Sequence, residues 1–356
     1  MASTPLSAKS VSSLLSLVFF FSFLSLPLSW ANTQEKRMFV LTGESKSVQL
    51  PFISVNNLVV VSARLNGKLP VNLLLDTGSP SNLLLDPKIT RELNQVGARE
   101  VDFSGPGTGQ RKLRGKVLIG LSLEMGEILG QDLAMVATSS KPEFLKGVTK
   151  VPIHGVLGYA FFHQFVVTID YANSLLTVSE PSYFVPALDA LALPFSLSNS
   201  KPVLQTSLTF GKRTYASRLL IDTGASHDLL LHDDLGAKTK GLLLGGSEGT
   251  LGVGFGGSIH GRKGVFHQIH MGHQVDFRNV MALFPEEGQY SKTAALDQDG
   301  SIGNGLLKDY LVTIDYLRET LYLQKPGAVQ QVALQTEKKD KKPFSPNRQG
   351  EATAIP

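Results

Sequence analysis

Two aspartates of this chain stand in nearly the same local sequence. Asp76-Thr77-Gly78 lies within LLLDTGSPSNLLL, and Asp222-Thr223-Gly224 lies within LLIDTGASHDLLL, 146 positions further on. Two carboxyl groups held about 3 Å apart cannot both ionise easily, so they share a proton. The charged member can then take a proton from a trapped water, and the neutral one can protonate a carbonyl oxygen under attack. Hydrolysis of that kind needs no metal and no covalent intermediate, so neither metal nor cofactor is expected. The residues beside each aspartate suit the task. An apolar strand would fix the carboxylate, and Gly78 and Gly224 would let the loop turn tightly and let another backbone come close. Thr77 and Thr223 offer hydroxyls that can bond across to a facing loop.

The similarity extends far beyond the tripeptide. Leu50-Pro51-Phe52 recurs as Leu193-Pro194-Phe195, and Gly67-Lys68 as Gly211-Lys212. GVLGYAFFHQFVVTIDYANSLLTV from Gly155 recurs as GSIGNGLLKDYLVTIDYLRETLYL from Gly300. A solenoid repeat would run to about 20–50 residues, so this is duplication of a whole domain. With 42% hydrophobic and 18% charged residues, each half can bury a core.

The elements that must position the loops read as strands. Asn57–Leu65, Val71–Leu75, Leu83–Leu85, Val117–Leu123 and Phe165–Tyr171 are short apolar runs bounded by Gly, Pro, Asn or Asp. VVTIDYANSLLTV predicts a hairpin turning around Ala172 to Ser174, and LVTIDYLRETLYL repeats it. Residues 88–95 could form one short helix. The expected fold class is all-β, with two homologous lobes at 32–180 and 193–325, a linker at 181–192, and a cleft between them.

The first 31 residues read as an export signal. Lys9 is their only charged side chain, an apolar stretch runs from Leu14 to Leu28, and Ser29-Trp30-Ala31 offers a cleavage site. Pro27 and the lack of a following positive flank argue against a stable membrane span. An exported, periplasmic or secreted chain is expected, and the absence of cysteine favours a bacterial envelope. Residues 326–356 form a polar tail with no apolar period, expected to be disordered. It carries half of the formal net charge of +4. No basic stripe carries interleaved aromatics, so no nucleic-acid partner is expected.

Both Asp-Thr-Gly segments resemble the catalytic loop of the aspartic proteases. Val156-Leu157-Gly158 and Ser301-Ile302-Gly303 are similar to that family's second signature. The resemblance covers about residues 48 to 325. It implies closed-barrel-like lobes, a polypeptide substrate in the cleft, Asp76 and Asp222 as the catalytic pair, and Thr77 and Thr223 as loop-locking residues. Each half has its own Gly-rich segment, Ser104–Gly115 and Gly245–Gly261, and neither contains tyrosine. Two such segments look more like retroviral-type proteases, in which each half supplies a flap, than like pepsin-like enzymes. A fused pair of lobes removes the need to dimerise, so a monomer is expected.

The copies also differ. Ser79 follows the first motif and Ala225 the second, so a Ser79 hydroxyl bonded to its carboxylate would make Asp76 the more acidic member. His154-Gly155 stands where the second copy has Asp299-Gly300. Rival signals are weaker. His267, His270 and His273, with His227, His232 and His260, lack the convergence a zinc site needs. Ser81 and Ser226 lie near histidines without a Gly-x-Ser-x-Gly elbow. Asp170-Tyr171 and Asp315-Tyr316 sit at hairpin turns and read as structural. A catalytically inactive module that binds peptide in the same cleft is the alternative function. It has no physical need for both aspartates, both threonines and both glycines.

Overall fold

The computed structural model describes residues 37–325 except 96, 104, 108–112, 143–144, 146–150, 273–274 and 290–297. The expected signal and tail lie outside these residues.

Each half builds a closed ring of six strands that includes the strand leading to its aspartate. In the first half the order is Leu58–Leu65, Leu69–Leu75, Gly155–Leu157, Leu83–Leu84, Ile128–Thr138 and Leu113–Met125, which returns to the first strand. In the second half it is Lys201–Phe210, Arg213–Asp222, Gly300–Gly303, Leu229–Leu231, Val275–Pro285 and Gly257–Met271. The closed-barrel expectation is therefore met strand for strand. Leu73, Leu74 and Leu75, like Leu219, Leu220 and Ile221, are all buried, because a strand covered on both faces reads as a continuous apolar run.

A sheet of six antiparallel strands joins the halves, three strands from each. Ser47–Pro51, Leu175–Ser179 and Val166–Asp170 meet Leu311–Asp315, Thr320–Gln324 and Leu191–Ser198. At its centre Thr168 faces Thr313, its own equivalent in the other copy, and their hydroxyls bond at 2.8 Å. Leu191 and Ala192, at the end of the segment expected as linker, already pair with Leu323 and Tyr322.

The expected helix spans Pro87–Leu93. Asp86 caps it by accepting from the Lys88 N–H at 2.9 Å, and Asn94 ends it in the left-handed region at φ 47°. The sequence reading missed Asp233–Thr239 and the single turns Tyr159–Phe162 and Asn304–Leu307. One turn is too short to show a helical period. It also missed the full length of Leu113–Met125. A bulge around Gly120 (φ 72°) breaks the alternation there.

Candidate active site

Asp76 directly follows its strand, and Asp222 is the last residue of its own. The two carboxyl groups border one point: a Cβ added to Gly78 would lie 3.0 Å from Asp76 Oδ1 and 2.9 Å from Asp222 Oδ1. Both side chains keep a partial opening to solvent. The loops are locked as expected, and symmetrically. The Thr77 N–H donates to Thr223 Oγ1 at 3.0 Å, and the Thr223 N–H donates to Thr77 Oγ1 at 3.0 Å. Each hydroxyl then donates across: Thr77 Oγ1 to the Ile221 carbonyl at 2.6 Å, Thr223 Oγ1 to the Leu75 carbonyl at 3.0 Å. Both threonines are fully buried, so these bonds have no water to replace them.

The glycines are needed for space. A Cβ on Gly78 would lie 2.9 Å from Asp222 Oδ1, and one on Gly224 would overlap the Asp76 carboxylate. Each glycine N–H donates to its own aspartate, Gly78 to Asp76 Oδ1 at 2.7 Å and Gly224 to Asp222 Oδ1 at 3.0 Å. Gly158 and Gly303 are required for the same reason. Their missing side chains leave room for the carbonyls of Ser79 and Ser81 in one lobe, and of Ala225 and His227 in the other. The second signature is thus the floor on which the first one lies.

The pair is electrically unequal. Burial raises Asp76 above the usual carboxylate value, opposed by the Gly78 N–H, the charge of Lys201 and the Ser79 N–H. Burial, and then the charge of Asp76, push Asp222 up to about 7. The expectation that Asp76 is the more acidic member rested on a bond from the Ser79 hydroxyl, and that bond is not made. The Ser79 hydroxyl donates to the Ser81 carbonyl at 2.7 Å and is turned away from the carboxylate. The backbone N–H groups do what was assigned to the side chain.

Lys201 and Asn304 were missed in the sequence, and the two hairpin tyrosines were read as turn residues alone. Lys201 acts on both carboxylates. By strand register it stands where the first lobe has Leu58, so aligning the copies by register would have exposed it. Tyr316, read as a turn residue, is buried and reaches the Thr77 carbonyl at 3.4 Å. Its counterpart Tyr171 donates to Asn304 Oδ1 at 2.6 Å, and Asn304 Nδ2 donates to the Thr223 carbonyl at 2.7 Å. Each hairpin tyrosine thus braces the loop of the opposite lobe. The aspartates before them do hold turns, Asp170 accepting from the Asn173 N–H and Asp315 from the Arg318 N–H, both at 3.0 Å.

The second Gly-rich segment forms a long hairpin, Leu244–Gly254 with Gly257–Met271, turning at Phe255-Gly256. The first lies between Arg99–Phe103 and Leu113–Met125, and most of its tip falls outside the described residues. The two meet. The Gly256 N–H donates to the Pro106 carbonyl at 2.8 Å, and Phe255 sets its ring edge against Phe103 at 6.2 Å. His227 bonds through Nε2 to Ser301 Oγ at 2.9 Å, and His270 pairs with Asp276. His273 lies outside the described residues.

Twin β-barrels that present one Asp-Thr-Gly loop each to a common point define the acid-protease architecture. Residues 61–161, which span the first loop and its Gly signal, match the family model described as aspartyl protease. Among solved structures, the basic 7S globulin from soybean is similar to this chain. The match has a TM-score of 0.50 and 12% identity, and covers 78% of this chain and 95% of that one. At that identity the likeness speaks for the fold. No curated protein sequence matches. The family match and the shared fold together support an aspartic protease family for this chain.

Proposed function

We propose that the chain is an aspartic endopeptidase, in which Asp76 and Asp222 together activate one water against a peptide carbonyl. The observation that carries this reading is the pair of largely buried carboxyl groups on two mutually locked loops. Asp222, raised to about 7, holds its proton in acid, below neutral pH. Asp76 ionises first and serves as base. Water oxygen attacks the carbonyl carbon as its proton passes to Asp76, and the Asp222 proton goes to the carbonyl oxygen. The resulting gem-diol collapses as Asp76 gives its proton to the leaving nitrogen and one diol hydroxyl returns its proton to Asp222, which restores the pair. No further group is needed for the balance.

Cleavage of an unfolded protein substrate by the exported chain, followed across about pH 3 to 7, tests the reading. Asp76→Asn and Asp222→Asn should each lower kcat by about 10³-fold or more while the fold, read by circular dichroism, is kept. Peptide binding without turnover in the wild type would instead identify a binding module. Retained turnover in either variant would remove the shared pair from the mechanism.

A further inference from the structure

The strand that delivers Asp76 is held by a group the second lobe does not use. Asn72, four residues before Asp76, donates its backbone N–H to His154 Nδ1 at 2.9 Å. The His154 N–H donates back to the Asn72 carbonyl at 2.8 Å. The second lobe has the same reciprocal pair between Arg218 and Asp299. There the Arg218 N–H donates to Asp299 Oδ2 at 2.8 Å and the Asp299 N–H to the Arg218 carbonyl at 2.8 Å. Strand register makes the pairs equivalent, since Leu73 faces Gly155 as Leu219 faces Gly300. One lobe therefore uses an imidazole nitrogen where the other uses a carboxylate.

The next position exchanges the same two residue types. The His154 carbonyl accepts from the N–H groups of Leu85 and Asp86, and the Asp299 carbonyl accepts from that of His232. Asp86 and His232 both precede the helix of their lobe. Each lobe thus keeps one acid and one imidazole at these two places, in opposite order.

The exchange has a chemical consequence. A backbone N–H can only donate, so Nδ1 must carry a lone pair and the ring must be neutral with its proton on Nε2. A carboxylate accepts through the whole range in which it is charged. An imidazole stops accepting once it is protonated. We propose that His154 is a positioning residue for Asp76: its neutral ring anchors Asn72, and protonation of the ring frees the strand and sets the acid limit of activity. The inference rests on the hydrolase reading for its link to activity, but not for the hydrogen bond.

Three structural elements bear on the ring. The strand Leu69–Leu75 presents Asn72, which is uncharged and fixed further by its side-chain bonds to the Pro152 carbonyl and from Ser62. The start of the first helix presents Asp86, whose charge favours protonation. The segment after Ile128–Thr138 presents Lys141, whose charge opposes it. Asp86 and Lys141 lie 4.0 Å apart and largely offset one another. Burial is the largest influence and holds the imidazole below its usual value of 6.5, so the ring is neutral at pH 7 and charges only in acid.

The test compares wild type with His154→Asn and His154→Asp, both of which accept a hydrogen bond without a neutral ring. Two quantities are read on the full chain: the pH dependence of kcat/KM and the NMR shift of the Asn72 amide. In the wild type the Asn72 amide should titrate below about pH 6.5, while the Arg218 amide should not follow the same curve. Both variants should retain about threefold more of their neutral-pH kcat/KM than the wild type does at about pH 5. A wild-type Asn72 amide indifferent to acid, or variant acid limbs superimposed on the wild-type limb, overturns the proposal. Should the chain cleave no peptide at all, the hydrolase reading fails on its own, and the Asn72 titration still decides the role of His154.

Discussion

The two lobes share a backbone and differ in chemistry. Both close the same six-strand ring, and both lay an Asp-Thr-Gly loop on a glycine floor. The groups beneath and beside the loops were not copied. The first lobe carries Leu58, Ser79, Ser81, His154 and Tyr159 where the second carries Lys201, Ala225, His227, Asp299 and Asn304. A symmetric scaffold is needed to bring two carboxyl groups together. An asymmetric surround gives the two members different work, because identical acids in identical sites would exchange roles freely. Lys201 sits in one lobe only, and Tyr171 works through Asn304 where Tyr316 reaches its loop directly.

The loop threonines offer the severest test of the symmetric part. Thr77→Val or Thr223→Val removes one hydroxyl and leaves a buried N–H and a buried carbonyl without partners. At about 1–3 kcal/mol for each orphaned group, either change should cost about 3 kcal/mol. If the grip is as balanced as its distances, the two variants differ by less than about 1 kcal/mol. The double variant should then cost less than their sum, because both act on one network. Urea unfolding of the three variants measures this. A loss confined to one lobe would show that the balance is only geometric.

The next effect belongs to the asymmetric part. His227 stands where the first lobe has Ser81, and burial pushes its pKa down from 6.5 to about 4. The folded state then binds fewer protons than the unfolded chain between those values, so stability is complete above about 6.5 and falls as pH drops toward 4. The loss should be on the order of 2 kcal/mol after discounting for the ring's partial exposure. Asp222 works with the opposite sign. Its folded value of about 7 lies above the ordinary 3.8, so protonating it in acid favours the folded state. The His227 contribution is therefore read as wild type minus His227→Gln in thermal unfolding at a series of pH values. A difference that stays flat from about pH 7 to 4 would remove the histidine from the acid response.

Much of the symmetric part was legible in the sequence, and little of the asymmetric part was. Apolar runs ending in Asp-Thr-Gly announce strand and loop, because a doubly covered strand cannot hide polar residues. The hairpins at Thr168 and Thr313 announce themselves through their turn residues. What joins the lobes is different: Tyr316 on the Thr77 carbonyl spans 239 positions. No local pattern records such a bond. Ser79 shows the opposite error. Its type and place suited a bond to Asp76, but the Ser81 carbonyl took the hydroxyl, and the Gly78 and Ser79 N–H groups face the carboxylate instead. His154 stood out as a departure, yet the bond its ring accepts comes from Asn72, 82 positions away.

The smallest expected effect separates the two hairpin tyrosines. Tyr171→Phe breaks a 2.6 Å bond and leaves Asn304 Oδ1 without that donor in a fully buried site, at a cost of about 1–2 kcal/mol. Tyr316→Phe gives up a 3.4 Å bond, so it should cost less than about 1 kcal/mol while the ring keeps its stacking on Phe162 at 5.5 Å. The direction of the kinetic effect should also differ. Tyr171 supports the Asp222 loop, so its loss should move the alkaline limb of the pH–rate curve, which reports the acid that must stay protonated. Tyr316 supports the Asp76 loop, whose strand His154 anchors, so its loss should act on the acid limb. Equal stability costs, or both variants moving the same limb, would mean that the crossed bracing carries no preference between the loops.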